Sequence, residues 1–177
     1  MAMERSFPII QIVGFQNSGK TTLMEKLILA ATEERLNVAA FKHHGHGGMP
    51  EDKTEKDSVK HQRAGAFIVG VEGDGMLQIQ GKREKWILQE IVDLYRFFNP
   101  DVLLVEGYKQ EHYPKVVIIR EEDDWEVLQS VTNIICILSW QPFYEKNCSV
   151  PIFLLNEQEK YIKYIMAKLK TAPFHGF

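Results

Sequence analysis

The chain has 177 residues, of which 45% are apolar and 25% charged, and a formal net charge of −3. That length fits one domain burying roughly 70% of its unfolded surface, and the composition excludes a disordered chain, a collagen-like repeat and a disulfide scaffold. A pI of about 6.1 argues against a generic nucleic-acid binder, whose domain would sit at about 9 or above. No apolar run, Ile134–Leu138 included, approaches the ~18–20 residues that cross a bilayer, and Met1–Pro8 holds no apolar signal core. Cys136 and Cys148 fit no usual zinc spacing and read as reduced thiols of a cytoplasmic protein. The expectation is a single cytoplasmic domain over residues 1–177, with neither membrane nor nucleic acid as a partner.

Pro8–Val13 reads as a short buried strand running into Gly14-Phe15-Gln16-Asn17-Ser18-Gly19-Lys20-Thr21-Thr22. Leu23, Met24, Leu27, Ile28 and Ala31 then have helical spacing. Asn37–Phe41 is a second strand. Lys42–Glu55, rich in His and Gly and without periodicity, reads as a mobile loop, and Lys56–Gly65 as a short helix ended by its glycine. Ala66–Val71 and Met76–Gln80 flank the turn signal Glu72-Gly73-Asp74-Gly75, which predicts a β-hairpin. Ile87, Leu88, Ile91, Leu94, Tyr95 and Phe98 give an amphipathic helix stopped by Pro100. Asp101–Val105 is an apolar strand of the kind covered on both faces of a parallel sheet. Lys115–Arg120, Asn133–Leu138 and Val150–Leu155 are further strands, and Ile162, Ile165, Met166 and Leu169 mark a last helix. Strands alternating with helices predict an α/β fold, a mostly parallel sheet flanked by helices, with the hairpin as an antiparallel addition.

Gly14-x-x-x-x-Gly19-Lys20-Thr21 matches G-x-x-x-x-G-K-[ST], the phosphate-binding loop of P-loop NTPases. Its two glycines permit backbone angles and close approaches that a Cβ would block. The backbone N–H groups, those of Asn17 and Ser18 among them, then cradle phosphate oxygens at the positive end of the following helix. Lys20 reaches the β- and γ-phosphates, and the Thr21 hydroxyl is a Mg²⁺ ligand. Chance produces such a match in roughly one chain of this length in a few hundred, and here it falls between a strand and a helix.

A phosphate loop of this kind needs a carboxylate at the end of a neighbouring strand. Glu106, after Val102-Leu103-Leu104-Val105 and before Gly107, meets that need as a Mg²⁺ contact or as the group that orients the attacking water; the competing reading is a solvated loop-edge glutamate. Asp57 is a further candidate for contact with Mg²⁺ or water, set against a first-turn acid that complements a helix dipole. In Lys42-His43-His44-Gly45-His46, the pair His44-x-His46 can put two rings near one transition metal with no third ligand fixed, against phosphate-proximal donors from Lys42 and the imidazoles or a plain polar loop.

In this order the segments resemble the MobB family, the molybdopterin-guanine dinucleotide biosynthesis accessory proteins. The likeness rests on Val13–Leu23, on Phe41–His46, on Lys56-Asp57-Ser58 with Arg63–Ala66, and on Leu104–Lys109 with Pro114–Arg120. The resemblance implies a P-loop α/β fold, GTP as ligand with Mg²⁺, slow hydrolysis and a homodimer. It also implies as partners the guanylyltransferase that joins GMP to molybdopterin, and molybdopterin or its guanine dinucleotide. The family's residues carry over onto Gly14, Asn17, Ser18, Gly19, Lys20, Thr21, Thr22, Asp57 and Glu106; Lys42, Arg63 and Lys109 also fall in its motifs. The chain departs from it at Gly47–Asp52, where related proteins carry an aspartate-rich stretch. The guanine-reading pattern [NT]-K-x-D is absent, only Ser139-Trp140 and Asn156-Glu157 following the late strands, so GTP over ATP rests on the resemblance. The alternative is a nickel-insertion GTPase of metalloenzyme maturation, which the histidines favour and the cysteine arrangement disfavours. A small-molecule kinase would need a lid with several arginines, and here they are scattered.

Overall fold

The computed structural model describes residues 7–44, 57–142 and 148–171. The chain divides into two compact units, one of residues 1–45 and 92–177, the other of residues 46–91.

The larger unit is built on a six-stranded parallel sheet in the order β2-β5-β1-β6-β7-β8. Its strands are β1 (Ile9–Gly14), β2 (Val38–Lys42), β5 (Val102–Glu106), β6 (Lys115–Ile119), β7 (Ile134–Ser139) and β8 (Ile152–Leu154). Both β5 and β6 are buried at every residue. Such strands read as continuous apolar runs because helices and loops cover both sheet faces. On one face α1 (Lys20–Glu33) and α5 (Gln158–Thr171) pack Leu23, Leu27, Ala31, Tyr161, Ile165 and Leu169 against Ile10, Ile12, Leu104, Val116 and Leu138. On the other, Val13, Val117, Ile119 and Ile137 meet Trp125, Val127 and Val131. Trp125 comes from a 3₁₀ turn (Glu122–Glu126), Val127 from α4 (Val127–Ser130) and Val131 from the extended residue after it, a segment in which the sequence marks no element. Asp124 creates the turn: its carboxylate accepts the backbone N–H groups of Arg120 at 2.8 Å and Glu121 at 3.2 Å.

The order of the sheet fixes where a ligand binds. The chain leaves β1 toward β2 on one side, and β6 lies on the other side of β1, so the carboxyl end of β1 is a topological switch point. The register aligns Lys42 with Glu106 and Ile12 with Glu106, which brings the ends of β2, β5 and β1 to one edge.

The smaller unit holds α2 (Asp57–Arg63) and the antiparallel hairpin β3 (Ile68–Gly73) and β4 (Met76–Gly81). The hairpin forms its own two-stranded sheet. Its turn is tighter than the four residues expected: only Asp74 (φ 51) and Gly75 (φ 76) separate the strands, both left-handed as a type I′ turn requires. The next helix, α3 (Leu88–Arg96), carries the chain from this unit into the larger one. Of its predicted apolar stripe, Leu88 and Ile91 are buried together with Val92, whereas Ile87, Leu94 and Phe98 are exposed. The helix stops before Phe98, and Asn99 turns left-handed ahead of Pro100.

Candidate nucleotide-binding site

The phosphate loop begins where β1 ends. A Cβ on Gly14 would lie 2.7 Å from the backbone carbonyl oxygen of Ile118, so glycine is required by the approach of β6. Asn17 (φ 58) and Gly19 (φ 98) turn the chain, and Lys20 opens α1 directly after Gly19. Among the described residues no side chain caps that helix, which leaves its first-turn N–H groups for an anion. Ser18 is buried, and its hydroxyl has no partner among the described residues. An uncapped helix start beside an orphaned buried hydroxyl fits a phosphate group. The buried Ser18 side chain thus adds to the backbone N–H that the loop motif offers a phosphate.

Two oxygen donors face a cation next to this loop. The Thr21 hydroxyl donates to the Glu106 carboxylate at 3.1 Å. The Lys42 ammonium lies 3.1 Å from Glu106 Oε1 and donates to Thr21 Oγ1 at 3.1 Å. A positive charge is thus held between a hydroxyl and a carboxylate, the hard-oxygen donor set that suits Mg²⁺. Lys20 folds back on the loop and donates to the carbonyls of Gly14 at 3.1 Å and Phe15 at 2.5 Å. Burial lowers its pKa, Glu106 opposes that shift and Lys42 adds to it. The three charges are therefore electrostatically linked.

Glu106 owes its position to the backbone around it. Its carbonyl accepts the His43 N–H at 2.9 Å, and the Gly107 N–H donates to Ile12 O at 3.0 Å. Gly107 is left-handed (φ +100), and a Cβ there would stand 3.0 Å from that of His43. The following loop is tied down from inside the sheet. Gln11 donates to the carbonyls of Gly107 at 3.0 Å and Tyr108 at 2.7 Å, and the buried Lys115 donates to those of Glu111 and Tyr113. This loop carries Lys109 to 5.7 Å from the Phe15 ring centroid, beside the phosphate loop.

Gly14, Asn17, Ser18, Gly19, Lys20, Thr21, Thr22 and Glu106 therefore meet at one sheet edge, with Lys42 and Lys109 beside them. Asp57 stands first in α2, in the smaller unit, and its side chain is outside what the structure describes. Arg63, at the end of the same helix, is exposed. The His43 ring lies 4.1 Å from that of Tyr108, His44 is exposed, and His46 lies outside the described residues. Among the described residues no group of three or more His, Cys, Asp or Glu side chains is placed to hold a metal ion. Nor, among them, is any helix long and apolar enough to cross a membrane. The position of Lys42 depends on strand register, which no local motif reveals; Gln11 and Lys115 look like ordinary polar interruptions of strands.

Comparison with known proteins agrees with this geometry. Residues 9–140 match the family model MobB, molybdopterin guanine dinucleotide synthesis protein B. A Bacillus subtilis protein described as a probable molybdopterin-guanine dinucleotide biosynthesis adapter protein is 42% identical over 171 residues, covering 96% of this chain and 98% of that one. The crystal structure of Bacillus subtilis MobB superposes with a TM-score of 0.81 at 41% identity, over 92% of this chain and 98% of that one. A MobB homologue from Bacillus stearothermophilus gives 0.77 at 39% identity, with the same coverage. With its phosphate loop at the sheet's switch point, its acidic strand end and this likeness along nearly its whole length, the chain belongs to the MobB family.

Proposed function

We propose that this protein binds GTP with Mg²⁺ at the phosphate loop and hydrolyses it slowly. On this reading it acts in the cytoplasm as an accessory to the guanylyltransferase that joins GMP to molybdopterin. The observation that carries the reading is the Lys42 ammonium held between Thr21 and Glu106 beside a helix start with no side-chain cap among the described residues. The loop N–H groups bind the phosphates, and Lys20 moves from the Gly14 and Phe15 carbonyls to the β- and γ-oxygens. Thr21 and Glu106 would hold Mg²⁺, which when bound would supply charge neutralisation for the leaving phosphate. Lys42 yields its place to the metal; its half-exposed stem lets the ammonium swing toward the phosphates. A Glu106 occupied with Thr21 and a cation is a weak base for water, which accords with slow turnover.

The protein is proposed to act as a homodimer, with the hairpin as one contact. Phe67, Ile68, Val71, Met76, Leu77 and Ile79 are all exposed there, an apolar surface that a second subunit would cover.

Titration with GTP, ATP and GDP, with and without Mg²⁺, tests the site. Lys20→Ala removes a charge-assisted contact worth about 1.5–3 kcal/mol, so triphosphate affinity should fall roughly 10- to 150-fold while the fold persists. Unchanged affinity in the folded variant would overturn the assignment.

A further inference from the structure

The residues above account for phosphate and cation and leave the nucleoside end of the ligand unmatched. Trp140 follows β7 at the carboxyl end of the sheet, the side on which α/β folds bind ligands. Its backbone N–H donates to Ile119 O at 3.0 Å, and its indole N–H donates to Ser18 O, within the phosphate loop, at 2.9 Å. A Cβ built on Gly19 would lie 3.9 Å from the indole Cζ2, so the ring edge rests against the residue that precedes α1. The Arg120 guanidinium stands 5.8 Å from the ring centroid. Yet Trp140 is 52% exposed, whereas Trp125 is packed into the core at 7%. An indole fixed at both its backbone and its ring nitrogen, and still half open to solvent, is poorly placed to fill a core. It is well placed as a rigid aromatic face beside bound phosphate.

We infer that Trp140 is the stacking platform for the purine of the bound nucleotide, with Arg120 flanking the ring; the inference rests on the nucleotide reading above. Every base offers a π-face, so stacking grips a purine without reading its edge. The carboxylate at the end of β8, that of Glu157, is already engaged: it accepts the Leu154 N–H at 2.9 Å and the Lys160 ammonium at 2.6 Å. Guanine and adenine should therefore gain alike from Trp140.

Equilibrium titrations of GTP, ATP and inorganic triphosphate, each with Mg²⁺, on the wild type, Trp140→Ala, Trp140→Phe and Lys20→Ala test the inference. Trp140→Ala is expected to weaken both nucleotides about 5- to 150-fold and to leave inorganic triphosphate, which has no base, nearly unchanged. Trp140→Phe should keep most of the nucleotide affinity, because the ring remains and only the donor to Ser18 is lost. Equal weakening of GTP and inorganic triphosphate by Trp140→Ala would make the residue a brace for the phosphate loop and overturn the inference; unchanged GTP affinity would overturn it too. Lys20→Ala separates the two readings. If it weakens all three ligands, the phosphate site stands whatever Trp140 does; if it affects none of them, the nucleotide reading itself fails.

Discussion

The strand β5 and the hairpin β3–β4 are both rich in apolar residues, and their fates differ. Every residue of β5 is buried between two parallel neighbours and under covered faces. In the hairpin, Val69 alone of the apolar strand residues is buried, while Ile68, Val71, Met76, Leu77 and Ile79 are exposed. The difference lies in partners, not composition: a two-stranded sheet is marginal by itself, and six strands with helices make a core. It also separates two tasks. The buried sheet fixes Glu106, Lys42 and the phosphate loop, and the hairpin presents surface.

Truncations measure that contrast most strongly. Leu104→Ala empties a fully buried site in β5 and should cost about 2–5 kcal/mol in urea unfolding. Leu77→Ser in the hairpin should stay within about 0.5 kcal/mol for the monomer, while shifting sedimentation toward smaller species. Comparable losses from the two substitutions would break the distinction.

A smaller effect sharpens it from the polar side. Burial lowers the pKa of Lys115 to about 8, against a weaker opposing pull from Glu111. An unfolded lysine titrates near ~10.4, so between about 8 and 10.4 the unfolded chain binds more protons than the folded one. The contribution of Lys115 to stability therefore rises with pH through that window. Lys115→Met removes the slope, and the stability of the wild type relative to the variant should rise from pH 8 to pH 10 in parallel urea titrations. A constant difference would mean that the ammonium is solvated rather than enclosed.

The phosphate loop was legible in the sequence because its signal is local: two glycines, a lysine and a threonine at fixed spacing between a strand and a helix. Glu106 was legible for the same reason, as an acid ending an apolar run. Lys42 was legible as a phosphate-proximal donor but not as the partner of Glu106, because its place beside Glu106 comes from the pairing of β2 with β5, strands about sixty residues apart in the chain. Asp101, just ahead of β5 and at the opposite end of that strand from Glu106, accepts the backbone and side-chain N–H groups of Asn37 at 2.8 and 2.9 Å and ties the start of β2. Gln11 and Lys115 escaped notice because a polar residue in a strand reads as facing solvent, and here each turns to loop carbonyls. The 3₁₀ turn and α4 were missed because four acids in a row carry no apolar period, and the turn depends on one of them, Asp124, folding back on the chain.

On the proposed reading Glu106 would hold the metal that hydrolysis at the phosphate loop requires, and the turnover of Glu106→Gln tests this. The amide keeps the shape and loses the charge. Single-turnover hydrolysis of bound GTP, set beside GTP affinity measured on the same protein with Mg²⁺, should show the rate falling by more than the affinity. Hydrolysis per bound nucleotide equal to that of the wild type would contradict the account and return Glu106 to the role of a strand-end residue.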